Sequence, residues 1–395
     1  MGREGRRFTY KDGLGLGIDL GDIVLVRLKG RSLNGLVIEK RMASLVLKRN
    51  EERMSGSLLD IEELIQKAAV EVSWREWLEA SARNCYVSPF RMIKAALPPG
   101  WLGNARSYKN SVKKIWWINL TKNDENDDCL SLRQKELLKH LISVGGGAWQ
   151  REIESNGFSS GLVKNFISTG HAFREKRPYT SALAPSLSSL EKTILRAEVP
   201  RTLTKEQQSA VEDFNSLSPG SALLLWGVTG SGKTEVYLQI VEKELAAGRN
   251  CLVLTPEIGL VPQLVDRFVK RFGSSVLEYH SNCSNKERVS VWQKALNSAN
   301  AYVVIGTRSA VFLPLTPLGL IVLDEEHDSS YKQESPMPCY HARDLALDRA
   351  KRVGAKVLMG TATPSLAIWK NVYPNGAISL ARLTHRISHR PLPVI

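Results

Sequence analysis

The stretch Gly227-Val228-Thr229-Gly230-Ser231-Gly232-Lys233-Thr234 has the residue types and spacing to hold the phosphates of a nucleotide. Its glycines let successive backbone N–H groups converge on phosphate oxygens, and a helix N-terminus adds the positive end of its dipole. Lys233 then reaches the β and γ oxygens, and the Thr234 hydroxyl ligates Mg²⁺. The apolar run Leu223-Leu224-Leu225-Trp226 precedes the loop and Glu235 to Val241 follows it, which is the strand, loop, helix context such a cradle needs. A glycine turn without a ligand is the bland alternative, and it leaves the filled signature unexplained. Further on, Leu320 to Leu323 read as a buried strand that runs out into Asp324-Glu325-Glu326-His327. A strand ending there delivers Asp324 to Mg²⁺ and Glu325 to the attacking water, whereas an ordinary acidic loop would need no such strand.

The elements that must position these residues have an α/β rhythm. Strand-like runs at Leu223, Cys251 to Leu254, Tyr302 to Ile305, Leu320 to Leu323 and Lys356 to Met359 alternate with helical stretches. That predicts a mostly parallel sheet covered on both faces, with ligands at the carboxyl ends of its strands. Upstream, Phe8 to about Glu39 reads as a small β-rich module, Ile61 to Ala80 has helical spacing, and Cys85 to Arg91 reads as a loop before a helix ended by Leu97-Pro98-Pro99-Gly100. Strand-like Ile115 to Leu120 and the polar loop Thr121 to Asp128 come next. Between Ser131 and Phe173, helices around Leu137 and from Ser159 flank a Gly145-Gly146-Gly147 break, which suits either a winged helix or a generic three-helix unit. Lys164 and Arg174 there could meet phosphates or form a solvated face. Ser181 to Ser189 reads as a linker.

Composition narrows the partners. The 395 residues carry a formal charge of +14 and a hydrophobic fraction of 43%. That is enough chain for about two or three domains, with a basic surplus that favours a polyanion, nucleic acid first, although a merely basic soluble protein is the alternative. The five cysteines, Cys85, Cys129, Cys251, Cys283 and Cys339, form no C-x-x-C pair. Reduced thiols in a cytoplasmic protein, with no zinc knuckle, are the expectation. Neither a signal-peptide core nor a run of membrane-spanning length is visible, so no membrane partner is expected.

Taken as a series, Leu203 to Gln207, Trp226 to Tyr237, Thr255-Pro256-Glu257-Ile258-Gly259-Leu260, Gly306-Thr307-Arg308-Ser309-Ala310, Asp324 to Gln333, Tyr340 to Asp344 and Thr361-Ala362-Thr363-Pro364 resemble the PriA family of replication-restart DNA helicases in superfamily 2. The resemblance implies an ATP-hydrolysing, Mg²⁺-dependent 3′–5′ helicase that recognises stalled or forked DNA and starts primosome assembly. It implies that Gln207 recognises adenine beside Gly227, Val228, Thr229, Gly230, Ser231, Gly232, Lys233 and Thr234. Thr255, Pro256, Glu257 and Gly259 with Gly306, Thr307, Arg308 and Ser309 would track single-stranded DNA, and His327 with Thr361 to Thr363 would couple hydrolysis to movement. Primosome proteins, a replicative helicase loader and single-stranded DNA-binding protein are the partners it implies.

The implied layout is a 3′ DNA-end-binding module over 1–105, a winged-helix domain over 106–180, a linker over 181–200 and a RecA-like P-loop lobe over 201–385. Residues 386–395 would start the connection to a second lobe. Phe8-Thr9-Tyr10, Gly21 to Val24, Asn34 to Val37, Tyr86 to Phe90 and Ala96-Leu97-Pro98 carry the likeness in the first module. The sequence departs from the family at Thr9, where an acidic residue is usual, at Arg27-Leu28-Lys29-Gly30, in place of a Pro-Phe-Gly turn, and before Tyr340, where a basic residue or Trp is usual. The family's second lobe and cysteine-rich zinc insertion are not in this sequence. Slow turnover without strand separation by this chain alone is therefore expected, and a DNA- and ATP-binding module without helicase activity is the alternative.

Overall fold

A computed structural model describes residues 7–41, 58–104, 114–121, 130–143, 146–178, 201–297, 300–372 and 376–387. The chain divides into two compact units, one made of Met1–Ala105 with Ser186–Ile395 and the other of Arg106–Pro185.

The first unit begins with a hairpin, β1 (Ile23–Leu28) and β2 (Arg31–Leu36). Its two-residue turn, Lys29-Gly30, has φ of 49° and 75°, the paired positive values that match the twist of a tight hairpin. Strand β3 (Ile61–Gln66) pairs antiparallel with the other edge of β1, and helix α1 spans only Val72–Asn84. This corrects the helical reading of Ile61 to Ala80. Ile61, Leu64 and Ile65 fit either period over so short a run, and β1 offers a free edge on which Ile61 and Leu64 pack against Val24 and Val26. Helix α2 (Pro89–Ala96) starts where a loop was expected, because Ser88 caps the Arg91 N–H and Pro89 is preset for a first turn. The short β4 (Gly103–Asn104) closes the sheet beside β2.

Among its described residues the second unit packs three helices against a three-stranded antiparallel sheet. Strand β5 (Lys114–Leu120) lies between β6 (Gly147–Trp149) and β7 (Ala172–Pro178). Helices α3 (Leu132–Ser143), α4 (Gln150–Ser155) and α5 (Ser160–Ser168) bury Leu137, Leu141, Ile153, Val163 and Phe166 against Ile118. The Arg174 guanidinium lies 4.5 Å from the ring centre of Trp116. The loop expected over Thr121 to Asp128 beyond Thr121, the linker over 181–200 and the end of the chain after Ile387 lie outside the described residues.

From Arg201 the first unit resumes with α6 (Lys205–Ser216), β8 (Ala222–Gly227), α7 (Lys233–Ala246), β9 (Asn250–Leu254), α8 (Val261–Phe272), β10 (Val276–Tyr279), α9 (Asn285–Asn297), β11 (Val303–Gly306) and β12 (Leu318–Asp324). The small pair β13 (Lys332–Gln333) and β14 (Tyr340–His341), α10 (Ala342–Val353), β15 (Lys356–Thr361), α11 (Leu366–Trp369) and β16 (Ile378–Leu383) follow. Seven strands form one parallel sheet in the order β10-β11-β9-β12-β15-β8-β16. Its central strands are apolar throughout because both faces are covered. Parallel strands bring Gly227, Leu254, Gly306, Asp324 and Thr361 to one edge.

Expected as separate modules, the N-terminal part and this lobe share one interior. Trp292 of α9 donates its Nε1–H to Ala69 O at 3.0 Å, and Trp74 donates to Phe312 O at 2.7 Å. Trp74 and Trp101 meet the Trp292 ring edge-on, with centroids 5.6 and 5.9 Å apart. Beneath them the buried Arg349 donates to Val311 O at 2.7 Å and lies over Trp77. Burial pushes its guanidinium down to about 10. Among the described residues no helix is long and apolar enough to cross a membrane.

Candidate nucleotide and nucleic-acid site

The phosphate loop connects β8 to α7 at the carboxyl edge of the sheet. Gly230 and Gly232 have φ of 83° and 84°, left-handed values that a side chain would disfavour. Closeness is a second demand at Gly227, where a Cβ would lie 2.6 Å from Ser231 Oγ and 3.2 Å from Lys233 Cγ. Lys233 opens α7 with its ammonium turned back into the loop, donating to Gly227 O at 2.9 Å and standing 3.7 Å from Glu325 Oε1. Gln207, expected at the adenine, is buried under the loop: its Nε2 donates to Ser231 O at 2.9 Å while its Oε1 accepts the Thr204 N–H. It braces the cradle and completes the cap of α6.

Asp324 ends β12 and faces α7. Its Oδ1 accepts the Tyr237 hydroxyl at 2.9 Å, and its backbone carbonyl accepts the Tyr331 hydroxyl at 2.7 Å. Gly360 of β15 makes room for that first bond, since a Cβ there would overlap Tyr237 Oη. Burial pushes the Asp324 carboxyl above its ordinary value, opposed by the Tyr237 bond, and the neighbouring Glu325 charge adds to the rise. Glu325 has φ of 47°, strain of about 1–3 kcal/mol for a residue with a side chain. The bend turns its carboxylate between Lys233 and His327, 3.6 Å from His327 Nδ1. His327 Nδ1 also pairs with Thr361 Oγ1 at 2.8 Å, and Thr361 Oγ1 accepts the Thr363 N–H at 3.1 Å. The acidic strand end and the end of β15 are thereby tied through one imidazole.

Glu326, which the spacing left without a role, turns the opposite way. It is fully buried and accepts Ser365 N at 2.7 Å, Ser365 Oγ at 2.9 Å and Arg343 Nη1 at 3.3 Å. No local signal in the run of acids announces its buried partners, which come from distant parts of the chain.

The segments expected to track DNA leave the sheet side by side. β9 and β11 are neighbours, and Thr255 N–H donates to Gly306 O at 3.0 Å. Thr255 and Pro256 are buried and Glu257 and Gly259 exposed, so the exposed members present the surface. Gly306 is a packing glycine, with room for no Cβ against Tyr279 O. Thr307 and Ser309 are half-buried. Arg308 donates Nη1 to Ser330 O at 3.1 Å and Lys332 O at 2.9 Å. That arginine joins the second segment to the chain just beyond the acidic motif.

The residues fit Mg²⁺ with a nucleotide. Thr234 and Asp324 would offer hard oxygen ligands, which suit an Mg²⁺ ion shared with nucleotide phosphates, and a cluster of three protein carboxylates is not required. Among the described residues no such three-residue His, Cys, Asp and Glu cluster occurs. Because a carboxylate would hold this cation only when ionised, and burial raises that of Asp324, Mg²⁺-dependent ADP affinity should fall on acidification from a higher pH than an ordinary aspartate allows. Tyr237→Phe removes the bond that favours the ionised form and should move the onset higher still. Titrations of both proteins at each pH cancel the nucleotide's own ionisation; an unchanged or lower onset in the variant would refute the coupling.

Residues 204–371 match the DEAD/DEAH box helicase family, so the cradle and acidic strand end belong to a helicase domain. Replication restart protein PriA of Synechocystis is 36% identical over 334 residues, 84% of this chain and 37% of the relative. PriA of Bacillus subtilis is 39% identical over 70% of this chain and 34% of its own length, and that of Chlamydia trachomatis is 46% identical over 44% and 23%. The chain belongs to the PriA replication-restart family, and spans little more than a third of the length of the first two of these relatives. Among solved structures, the Hef helicase domain of Pyrococcus furiosus matches at 21% identity and a TM-score of 0.34 over 45% of this chain and 37% of that one, too distant to add to the sequence relatives.

Proposed function

We propose that this chain is the ATP-binding motor lobe, with attached DNA-gripping modules, of a cytoplasmic PriA-type 3′–5′ helicase that engages stalled or forked DNA and seeds primosome assembly. One arrangement carries the reading: Glu325 stands between Lys233 and His327, and His327 is bonded to Thr361 at the end of the neighbouring strand. A change at the γ-phosphate can thus reach the Thr361 to Thr363 turn through a single side chain. Lys233 exchanges Gly227 O for phosphate oxygens, Glu325 orients the attacking water, and Asp324 with Thr234 holds the cation. Mg²⁺, when bound, neutralises charge on the phosphates. Glu257, Gly259 and Thr307 to Ser309 offer a path for one strand, with Arg308 relaying its position to the chain after the acidic motif. The +14 charge supports a phosphate-tracking surface.

The test combines hydrolysis with binding. Single-stranded DNA should raise the slow ATP hydrolysis of this chain without strand separation, and a forked duplex should bind more tightly than a blunt one. Affinity should fall by about 10³ to 10⁵ between 50 and 200 mM salt if six to ten phosphates are neutralised. Hydrolysis indifferent to DNA, together with salt-insensitive binding, would refute the proposal.

A further inference from the structure

Beyond β16 the chain turns back across the phosphate loop. Glu206, beside Gln207 in the first turn of α6, anchors it: the carboxylate accepts Thr384 N–H at 2.9 Å and the Thr384 hydroxyl, and its Oε1 pairs with His385 Nδ1 at 2.9 Å. Ile387 N–H then donates to Gly230 O at 3.1 Å. A Cβ on Gly232 would lie 2.5 Å from Ile387 Cδ1 and 2.4 Å from Gln207 Nε2, so this strap and the glutamine meet the loop at one point.

Between the two anchors sits Arg386. Its Cγ and Cδ pass 3.9 and 4.0 Å from the Cβ position of Gly230, and its Nε is buried without a hydrogen-bond partner. No carboxylate among the described residues pairs with it. Arg386 as a whole is half-buried, and Arg75, Arg271 and Arg288 also have an unpartnered Nε, but their guanidinium groups engage Ile38 O, Glu242 and the Tyr279 ring, whereas that of Arg386 engages no partner among the described residues. With only Nε withdrawn from solvent, the rest of the guanidinium fork is left open, and such a fork suits phosphate. The anion that fits this place is the one the loop itself is built for.

We propose that Arg386 is a nucleotide-binding residue, which closes the phosphate loop from its outer side and contacts the phosphates of a bound nucleoside di- or triphosphate. The inference rests on the reading of Gly227 to Thr234 as the nucleotide loop, so the experiment separates the two. Mg²⁺-ADP and adenosine are titrated calorimetrically into the full chain and into Arg386→Gln, Arg386→Lys and Lys233→Ala. Arg386→Gln, which keeps the stem and removes the charge, should weaken ADP binding about tenfold or more, as expected for a lost hydrogen bond to a charged group. Adenosine affinity and the unfolding temperature without nucleotide should not change, and Arg386→Lys should recover part of the loss. Should Arg386→Gln bind ADP within twofold of the parent while Lys233→Ala does not, the strap is packing alone and the proposal fails. An equal loss for adenosine would overturn the phosphate contact. If Lys233→Ala binds ADP as tightly as the parent, the nucleotide reading itself falls and takes this inference with it.

Discussion

Glu325→Gln should leave ATP binding intact and slow hydrolysis by about 10²- to 10⁴-fold, the range over which a positioned base contributes. The carboxylate is a third exposed, held in a left-handed bend and placed 3.7 Å from Lys233 Nζ and 3.6 Å from His327 Nδ1. Beside Lys233, its negative charge would oppose that of the γ-phosphate the lysine is proposed to hold. Removing the charge should therefore preserve or tighten ATP affinity while the water loses its orienting group. Single-turnover hydrolysis beside an equilibrium titration with ATP separates the two effects. A rate within tenfold of the parent would deny Glu325 this role, and a parallel collapse of ATP affinity would mean that it shapes the loop.

The adjacent Glu326→Ala should act in the opposite sense, on stability. Its buried carboxylate holds Ser365 through two bonds and Arg343 through one. Removing one partner of a buried ion pair costs about 3–5 kcal/mol. The lower end is expected here, because Arg343 Nε keeps Asp344 at 3.2 Å, although that carboxylate is largely exposed. Glu326→Gln retains the shape and loses mainly the charge, so a cost of about 1–2 kcal/mol is expected. Two units in one chain make a single unfolding midpoint ambiguous. Hydrogen exchange of the slowest amides in β12 and β15 reports the local free energy directly. A change below about 1 kcal/mol for Glu326→Ala would show that the network is not stabilising.

These neighbouring glutamates mark how far the sequence could be read. The phosphate loop is legible because its action depends on contiguous backbone N–H groups and on side chains a few positions apart. The strand before Asp324 is legible because a parallel sheet covered on both faces demands an uninterrupted apolar run. Ile61 to Gln66 was not, since six residues satisfy both periods and only the free edge of β1 selects the strand.

The sequence by itself determined that the chain has a phosphate cradle, an acidic strand end to serve it and a parallel sheet to bring both to one edge. Each rests on residues near one another in the chain. Only the tertiary structure decided what Glu326 does and how its carboxylate parts from that of Glu325, because both follow from the bend at Glu325 and from Ser365 and Arg343, which arrive from other elements. It likewise decided that three tryptophans weld the N-terminal module to the lobe and that Arg386 returns to the phosphate loop. Contacts between residues so far apart in the chain leave no local periodicity. Their partners are set by packing and by the need to satisfy buried polar groups.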